Sequence, residues 1–323
     1  MQGVFLDTGS LVAGVEDHGD LDFAAINALP VDWHYHTSTE PDVVVERLQG
    51  AQVAVTNKVV LDAAQLARLP DLKLVAVAAT GVNNVDLDAA RHQNTQVCNV
   101  TGYATPSVVQ HVFMLILALL RQLPAYREAV GEGRWQQSRH FCLLDYRIEE
   151  LQNKTLGIIG YGELGQAVAR MGEAFGMRCL IARRNADDQR AGRLALTELL
   201  QKADIVSLHC PLTGETRHLI GAEQLALMKP GALLINTARG GIVDELALYE
   251  ALREGHLGGA GVDVLAQEPP AVDSPLLSAQ LNNLIVTPHI AWASRAARQR
   301  LLDQVADNIA AYLDGGPVPN ALW

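Results

Sequence analysis

The sequence predicts an α/β protein built as two doubly wound domains, each around a largely parallel sheet. Three observations carry that reading. Short apolar runs alternate with amphipathic segments at the pace of βα units over the first hundred residues, and again from TLGIIG onward. One long apolar helix and a less regular stretch separate the two series. The chain has 323 residues, 49% apolar and 19% charged, which is enough for two cores and is globular rather than disordered composition.

In the first series GVFLD, VDWHYH, AQVAVTN, LKLVAVAAT and TQVCNV read as strands, with helices over 41–49, 62–69 and 86–93. His34 and His36 form an HxH pair, but no ligand cluster lies nearby, so a strand outranks a metal site. TPSVVQHVFMLILALLRQ reads as one helix, with Thr105 able to cap it and Pro106 suited to its first turn. It is too apolar for a solvent-exposed helix and has no obvious cover within one chain, which points to burial against a domain or a partner subunit. From Pro124 to Asn153 the pattern is less regular. The second series has strands LGIIG, RCLIA, DIVSLHC, ALLINTA, GAGVDV and LIVTPH, with helices that include 164–175 and 245–254. A last helix over 294–313 ends at Asp314-Gly315-Gly316 and leads the chain back toward the first domain.

Charge and cysteine usage narrow the functional classes. The formal net charge is 25 − 36 = −11, unfavourable for generic binding of nucleic acid or anionic lipid. The first Lys or Arg is Arg47, so no secretory leader is legible, and the apolar run 112–120 is too short to span a bilayer. Cys98, Cys142, Cys179 and Cys210 make no CxxC pair and no zinc spacing. The expectation is a cytoplasmic protein with reduced thiols, no metal and no membrane or nucleic-acid partner.

The first chemical signal is Gly160-Tyr161-Gly162-Glu163-Leu164-Gly165, a G-x-G-x-x-G directly after an apolar strand and opening a helix. Gly160 permits a tight turn, Gly162 lets backbone approach a pyrophosphate, and Gly165 lets helix and strand pack closely. The helix N-terminus offers amide donors to phosphates. The motif therefore predicts a bound dinucleotide. Where an NAD site places a carboxylate for the ribose, this chain has Arg183, 23 residues after Gly160, followed by Arg184. A guanidinium suits a 2′-phosphate. NADP(H) is favoured, with NAD(H) held by other contacts as the alternative.

Downstream, three predicted strands end in polar residues: Arg239 after ALLINTA, Asp263 and Glu268 after GAGVDV, and His289 in LIVTPHI. Ligands of such sheets bind beyond the carboxyl ends of strands, so these residues can share one site. Hydride transfer to a carbonyl carbon needs a proton donor for the developing alkoxide, a task that suits histidine. A neighbouring carboxylate orients the ring and favours its protonated form. An arginine can grip a substrate carboxylate at two points and polarise the adjacent carbonyl.

GYGELG, LHCPLTGETRHLI, MKPGALLINTARGGIVDELAL, GGAGVDVLAQEPP and TPHIAWAS, in that order, resemble the D-isomer-specific 2-hydroxyacid dehydrogenase family. ATGVNNVDLDAA extends the likeness into the first domain. VTNKVVLD, ATGVNNVDL and HIAWAS point to its glycerate dehydrogenase/hydroxypyruvate reductase branch. The resemblance implies a flavodoxin-like substrate domain from both chain ends (1–100 plus 290–323). It implies an inserted NAD(P)-binding Rossmann domain (101–289) with a dimerisation segment at about 103–150, and a cleft between the two domains. It implies Arg239 on the substrate carboxylate and carbonyl, His289 as acid/base, Glu268 as its partner and Asp263 at the nicotinamide carboxamide. Thr80, Gly81 and Val82 resemble the loop that holds the substrate carboxylate. Cys210, Pro211, Thr216, Thr237 and Ala238 resemble cofactor-lining positions. Phe141 and Trp292 are candidate pocket walls, with packing at the domain seam as the alternative for Trp292.

The implied activity is reversible reduction of hydroxypyruvate or glyoxylate to D-glycerate or glycolate by a homodimer. One alternative is a reductase for a bulkier 2-oxo acid. The other is a non-catalytic dinucleotide-sensing regulator, which has no need to keep Arg239, Glu268 and His289 together.

Overall fold

The computed structural model describes residues 1–12, 19–185, 187–278 and 281–323. The chain divides into two compact units, 1–104 with 292–323 and 105–291. The first unit carries strands β1 (Gln2–Phe5), β2 (Asp32–Tyr35), β3 (Val53–Thr56), β4 (Leu74–Val77) and β5 (Gln96–Cys98). All pair in parallel in the order β2-β1-β3-β4-β5. That order reverses direction between β1 and β3, as in flavodoxin-like sheets. Its helices are α1 (Ala24–Asn27), α2 (Val44–Leu48), α3 (Ala63–Leu66) and α4 (Leu87–His92). Asp62 and Asp86 start the last two by accepting backbone N–H bonds, so both helices begin one residue after the aspartate. The central strands β3 and β4 are buried along their whole length, with core on both faces.

The second unit opens with α5 (Thr105–Leu120) and α6 (Leu123–Gly131). Its sheet follows, interleaved with helices: β6 (Thr155–Ile159), α7 (Glu163–Ala174), β7 (Arg178–Ala182), β8 (Arg193–Leu194), α8 (Leu196–Lys202), β9 (Ile205–Leu208), α9 (Ala222–Leu227), β10 (Leu233–Asn236), α10 (Glu245–Arg253), β11 (Gly259–Val262), α11 (Pro275–Ser278) and β12 (Leu284–Val286). Seven parallel strands run in the order β12-β11-β10-β9-β6-β7-β8. The order reverses between β6 and β9, the place where such sheets bind ligands. Helix α12 (Arg295–Leu313), capped by Ser294, belongs to the first unit and buries Leu301, Leu302, Val305 and Ile309 in its core.

Two expectations change, the second in part. Helix α5 does have cover within the chain. It buries Val108, Val109, Val112, Phe113, Leu115, Ile116 and Leu119 and packs on α7 and on β10, β11 and β12. Glycines in β11 make the room: a Cβ on Gly261 would stand 2.9 Å from Leu115 Cβ, and one on Gly259 3.0 Å from Leu119. The stretch from Pro124 opens with a helix and is irregular, as expected, over 132–153. Gln122 takes a left-handed conformation (φ 53°), and Pro124 then sits in the first turn of a new helix, α6. Among the described residues, no single helix is long and apolar enough to cross a membrane.

Candidate active site

The glycine turn lies between β6 and α7. Strand β6 is wholly buried. Gly160 has φ +93°, and a Cβ there would stand 2.5 Å from the backbone of His209 and Cys210. At Gly165 a Cβ would be 2.1 Å from the Gly160 carbonyl oxygen. At Gly162 it would meet nothing within 4 Å, so open space faces the backbone there. No side chain caps α7, and its first amides keep their donors for a ligand. Glu163 accepts a hydrogen bond from the Thr105 hydroxyl. At the end of β10, two strands from β6, the Thr237 hydroxyl is buried with no partner among the described residues, as a cofactor-lining group would be before its ligand arrives. Open space at Gly162, uncapped amides and an orphaned hydroxyl together fit a dinucleotide.

The end of β7 has no carboxylate in the ribose position. Arg183 and Arg184 have no acidic partner among the described residues; Arg183 Nε donates to the Arg193 carbonyl at 3.3 Å. The first acidic side chain engaged in this loop is Asp188. It accepts from the Arg184 amide (2.9 Å) and from Arg190 Nε and Nη2 (2.8 Å each). The Arg190 bond and then the Arg184 amide hold the Asp188 carboxyl far below the usual range. Arg190 is therefore committed inside the loop. Arg193 lies over the Tyr161 ring, 4.6 Å from its centroid.

In the β9 loop, Thr216 donates to the Pro211 carbonyl (2.6 Å) and accepts from the Thr213 amide (2.7 Å), so its hydroxyl shapes the loop. Burial raises the Cys210 thiol above its ordinary range. After β10, Asn236 is buried and bonds both the Ala238 amide and the Arg239 carbonyl. This closes a tight turn that leaves Arg239 exposed. Gly240 permits it, because a Cβ there would fall 1.9 Å from the backbone carbon of Leu265.

The structure brings Glu268 and His289 into contact: His289 Nδ1 lies 2.7 Å from Glu268 Oε2. The other oxygen of Glu268 accepts the Leu265 amide at 2.9 Å, which fixes the carboxylate. His289 has left-handed backbone (φ 54°), and its own amide donates to the Asp263 carbonyl at 2.8 Å. β10, β11 and β12 are neighbours, so Arg239, Glu268 and His289 follow adjacent strand ends.

Asp263, expected at the nicotinamide carboxamide, is buried at the end of β11. It is 1% exposed. Its oxygens accept from the Thr287 hydroxyl (2.5 Å), the Ile290 amide (2.9 Å) and the Ala291 amide (2.9 Å). Sequence reasoning also passed over Ser107 and His111 on α5, which bond the same 287–291 segment. The only signal was their spacing of four on a mostly apolar helix whose other polar residues are Thr105 and Gln110.

Thr80, Gly81 and Val82 lie in the first unit, beyond the carboxyl end of β4. The Thr80 carbonyl accepts from Asn99 Nδ2 (2.8 Å), and the Val82 carbonyl from the Val85 amide (3.0 Å). Trp292 also belongs to the first unit, where it packs edge-on against Tyr103 and borders the core. Phe141, expected as a pocket wall, is 92% exposed on the segment after α6.

The chain is similar to known proteins over nearly its whole length. The family described as "D-isomer specific 2-hydroxyacid dehydrogenase, NAD binding domain" matches residues 113–291. The chain is 48% identical to a glycerate dehydrogenase of Methylorubrum extorquens, over 97% of this chain and 96% of that one. It is 36% identical to a hydroxypyruvate reductase of Blautia hydrogenotrophica, over 93% and 94%. Among solved structures it resembles the NADPH-dependent glyoxylate/hydroxypyruvate reductase of Sinorhizobium meliloti in complex with NADP and malonate. That likeness has TM-score 0.81 and 26% identity, and covers 99% of this chain and 96% of that one.

Proposed function

The chain belongs to the D-isomer-specific 2-hydroxyacid dehydrogenase family, and from that premise we propose that it reduces hydroxypyruvate and glyoxylate to D-glycerate and glycolate, reversibly, with NADP(H) preferred. The observation that carries this reading is the Glu268–His289 pair at 2.7 Å, one strand beyond the turn that bears Arg239. When bound at the glycine turn, the nicotinamide dinucleotide supplies the hydride that reaches the carbonyl carbon. The protein's part is to bind the acid, polarise it and deliver a proton. Arg239 pairs its guanidinium with the substrate carboxylate and draws charge from the neighbouring carbonyl oxygen. His289 gives that oxygen a proton as charge develops on it, and takes it back in the oxidative direction. Glu268 holds Nδ1, which fixes the ring and assigns Nε2 to the transfer.

The finer assignments rest on particular features. Arg183 and Arg184, with no carboxylate beside them, suit a 2′-phosphate. Thr80, Gly81 and Val82 supply backbone to the substrate carboxylate, and Asp263 meets the carboxamide only if one of its crowded oxygens accepts a further bond. A homodimer would cover Leu123, Trp135, Phe141 and Leu144, which are 60%, 51%, 92% and 75% exposed along one stretch of chain. The four cysteines are unpaired thiols, as a reducing cytoplasm would keep them. Steady-state kinetics with hydroxypyruvate and glyoxylate, each with NADPH and NADH, tests the reading. Dinucleotide oxidation with both acids, faster with NADPH, is expected; no oxidation with any small 2-oxo acid overturns it.

A further inference from the structure

The loop that carries His289 is held at both ends by one helix from the opposite end of the unit's sequence. Ser107 and His111 lie one turn apart on α5, on the same face. Ser107 Oγ donates to the Ala291 carbonyl at 2.7 Å, and His111 Nε2 lies 2.9 Å from Thr287 Oγ1. His289 sits midway between these two anchors. The middle of the loop is tied to Asp263 through the Ile290 and Ala291 amides.

The direction of each bond follows from the chemistry. Thr287 has one hydroxyl proton, and at 2.5 Å it goes to the Asp263 carboxylate, which only accepts. Thr287 Oγ1 must therefore accept from His111, so the proton of His111 is on Nε2. Burial lowers the pKa of His111, against the pull of Asp263 3.4 Å away, which favours the neutral ring. The result is a one-way relay from His111 through Thr287 to Asp263.

We propose that His111, with Ser107, is a positioning residue that sets the place of His289 against Glu268. The inference rests on His289 as the proton donor. A misplacement of about 1 Å far from the chemistry can cost roughly a hundredfold in rate, and this loop has no helix or strand of its own to hold it.

The test uses the full-length protein with hydroxypyruvate and reduced dinucleotide. His111→Ala is expected to lower kcat roughly ten- to a hundredfold while leaving the dinucleotide Kd unchanged. It should also move the alkaline limb of the kcat/KM profile for reduction to lower pH, because a looser Glu268 contact favours the imidazolium less. His111→Gln, which can keep an N–H toward Thr287, should recover most of both. Ser107→Ala should move them the same way by less. A folded His111→Ala with unchanged kcat and pH limb overturns the proposal, as does Gln failing as badly as Ala. Should His111→Ala not fold, an unchanged pH limb in Ser107→Ala overturns it. Separately, turnover that survives His289→Asn would overturn the assignment of the donor itself, whereas an inactive His289→Asn beside a normal His111→Ala overturns only this inference.

Discussion

Two loops at the carboxyl edge of the same sheet are built on opposite principles. The β6–α7 turn is shaped by missing side chains: Gly160 and Gly165 sit where a Cβ would fall 2.5 Å and 2.1 Å from backbone atoms. The loop after β12 is shaped by side chains that are present. One buried carboxylate, Asp263, gathers a hydroxyl and two amides from it, and α5 holds its ends. Steric necessity makes the first loop local, so six consecutive residues specify it. Hydrogen bonding makes the second non-local, since its partners lie 24 to 184 residues away. The first suits a ligand that must meet bare backbone. The second suits a side chain that must stand at one angle to another.

The sharpest way to break this contrast is a crossed pair of substitutions. His289→Asn should lower turnover by roughly 10²–10⁴-fold, the usual contribution of general acid catalysis, while dinucleotide Kd stays as it was. Arg239→Ala should likewise abolish turnover of 2-oxo acids. Gly165→Ala should do the reverse and weaken dinucleotide binding first. Alanine favours a helix by about 1 kcal/mol over glycine, but overpacking typically costs about 1–3 kcal/mol. Here the clash is with backbone, which cannot rotate aside. A small change in Tm beside a large rise in Kd is the expected signature, read by thermal melting and fluorescence titration. Loss of dinucleotide binding in His289→Asn would erase the division between the two loops.

A second, smaller effect concerns the floor of the glycine turn. His209 underlies Gly160; its Nε2 lies 2.8 Å from Ser207 Oγ and its Nδ1 is buried without a partner. Burial pushes its pKa down to about 4 from an ordinary 6.5. The folded value is the lower one, so the unfolded chain binds the proton first. The contribution is therefore whole above about pH 6.5 and lost as pH falls toward 4, up to about 3 kcal/mol. Urea unfolding of the native protein and His209→Gln across that window should show the native chain losing more. Parallel curves would mean that folding leaves the His209 pKa near its ordinary value and that the imidazole contributes nothing to this pH dependence.

What was legible in the sequence follows the same division. The parallel sheets, the glycine turn and the order Arg239, Glu268, His289 could be read because each is written in short runs. Asp263 was legible as a strand-end residue but not as the anchor of a loop that begins 24 residues later, since no local pattern encodes that bond. The packing of α5 was hidden for a related reason. Its cover depends on Gly259 and Gly261 in β11, and nothing near Leu115 or Leu119 announces them. Phe141, a candidate pocket wall, is 92% exposed on the segment after α6, whose sequence carries no periodic pattern to place it.

The smallest expected effect sharpens the contrast at the other end of the glycine turn, where specificity depends on side chains again. Of the four arginines between 183 and 193, Arg190 is committed to Asp188 through two bonds of 2.8 Å. Arg193 rests on Tyr161, so Arg183 and Arg184 are the pair proposed for a 2′-phosphate. A charge-assisted hydrogen bond contributes about 1.5–3 kcal/mol, so removing both side chains should raise the KM for NADPH by roughly tenfold or more. The KM for NADH, which has no phosphate there, should change little. Arg190→Ala should instead act on both dinucleotides alike, by loosening the loop that Asp188 organises. Equal losses for NADPH and NADH in Arg183→Ala/Arg184→Ala would show that these arginines attract the dinucleotide by charge alone and do not choose between its two forms.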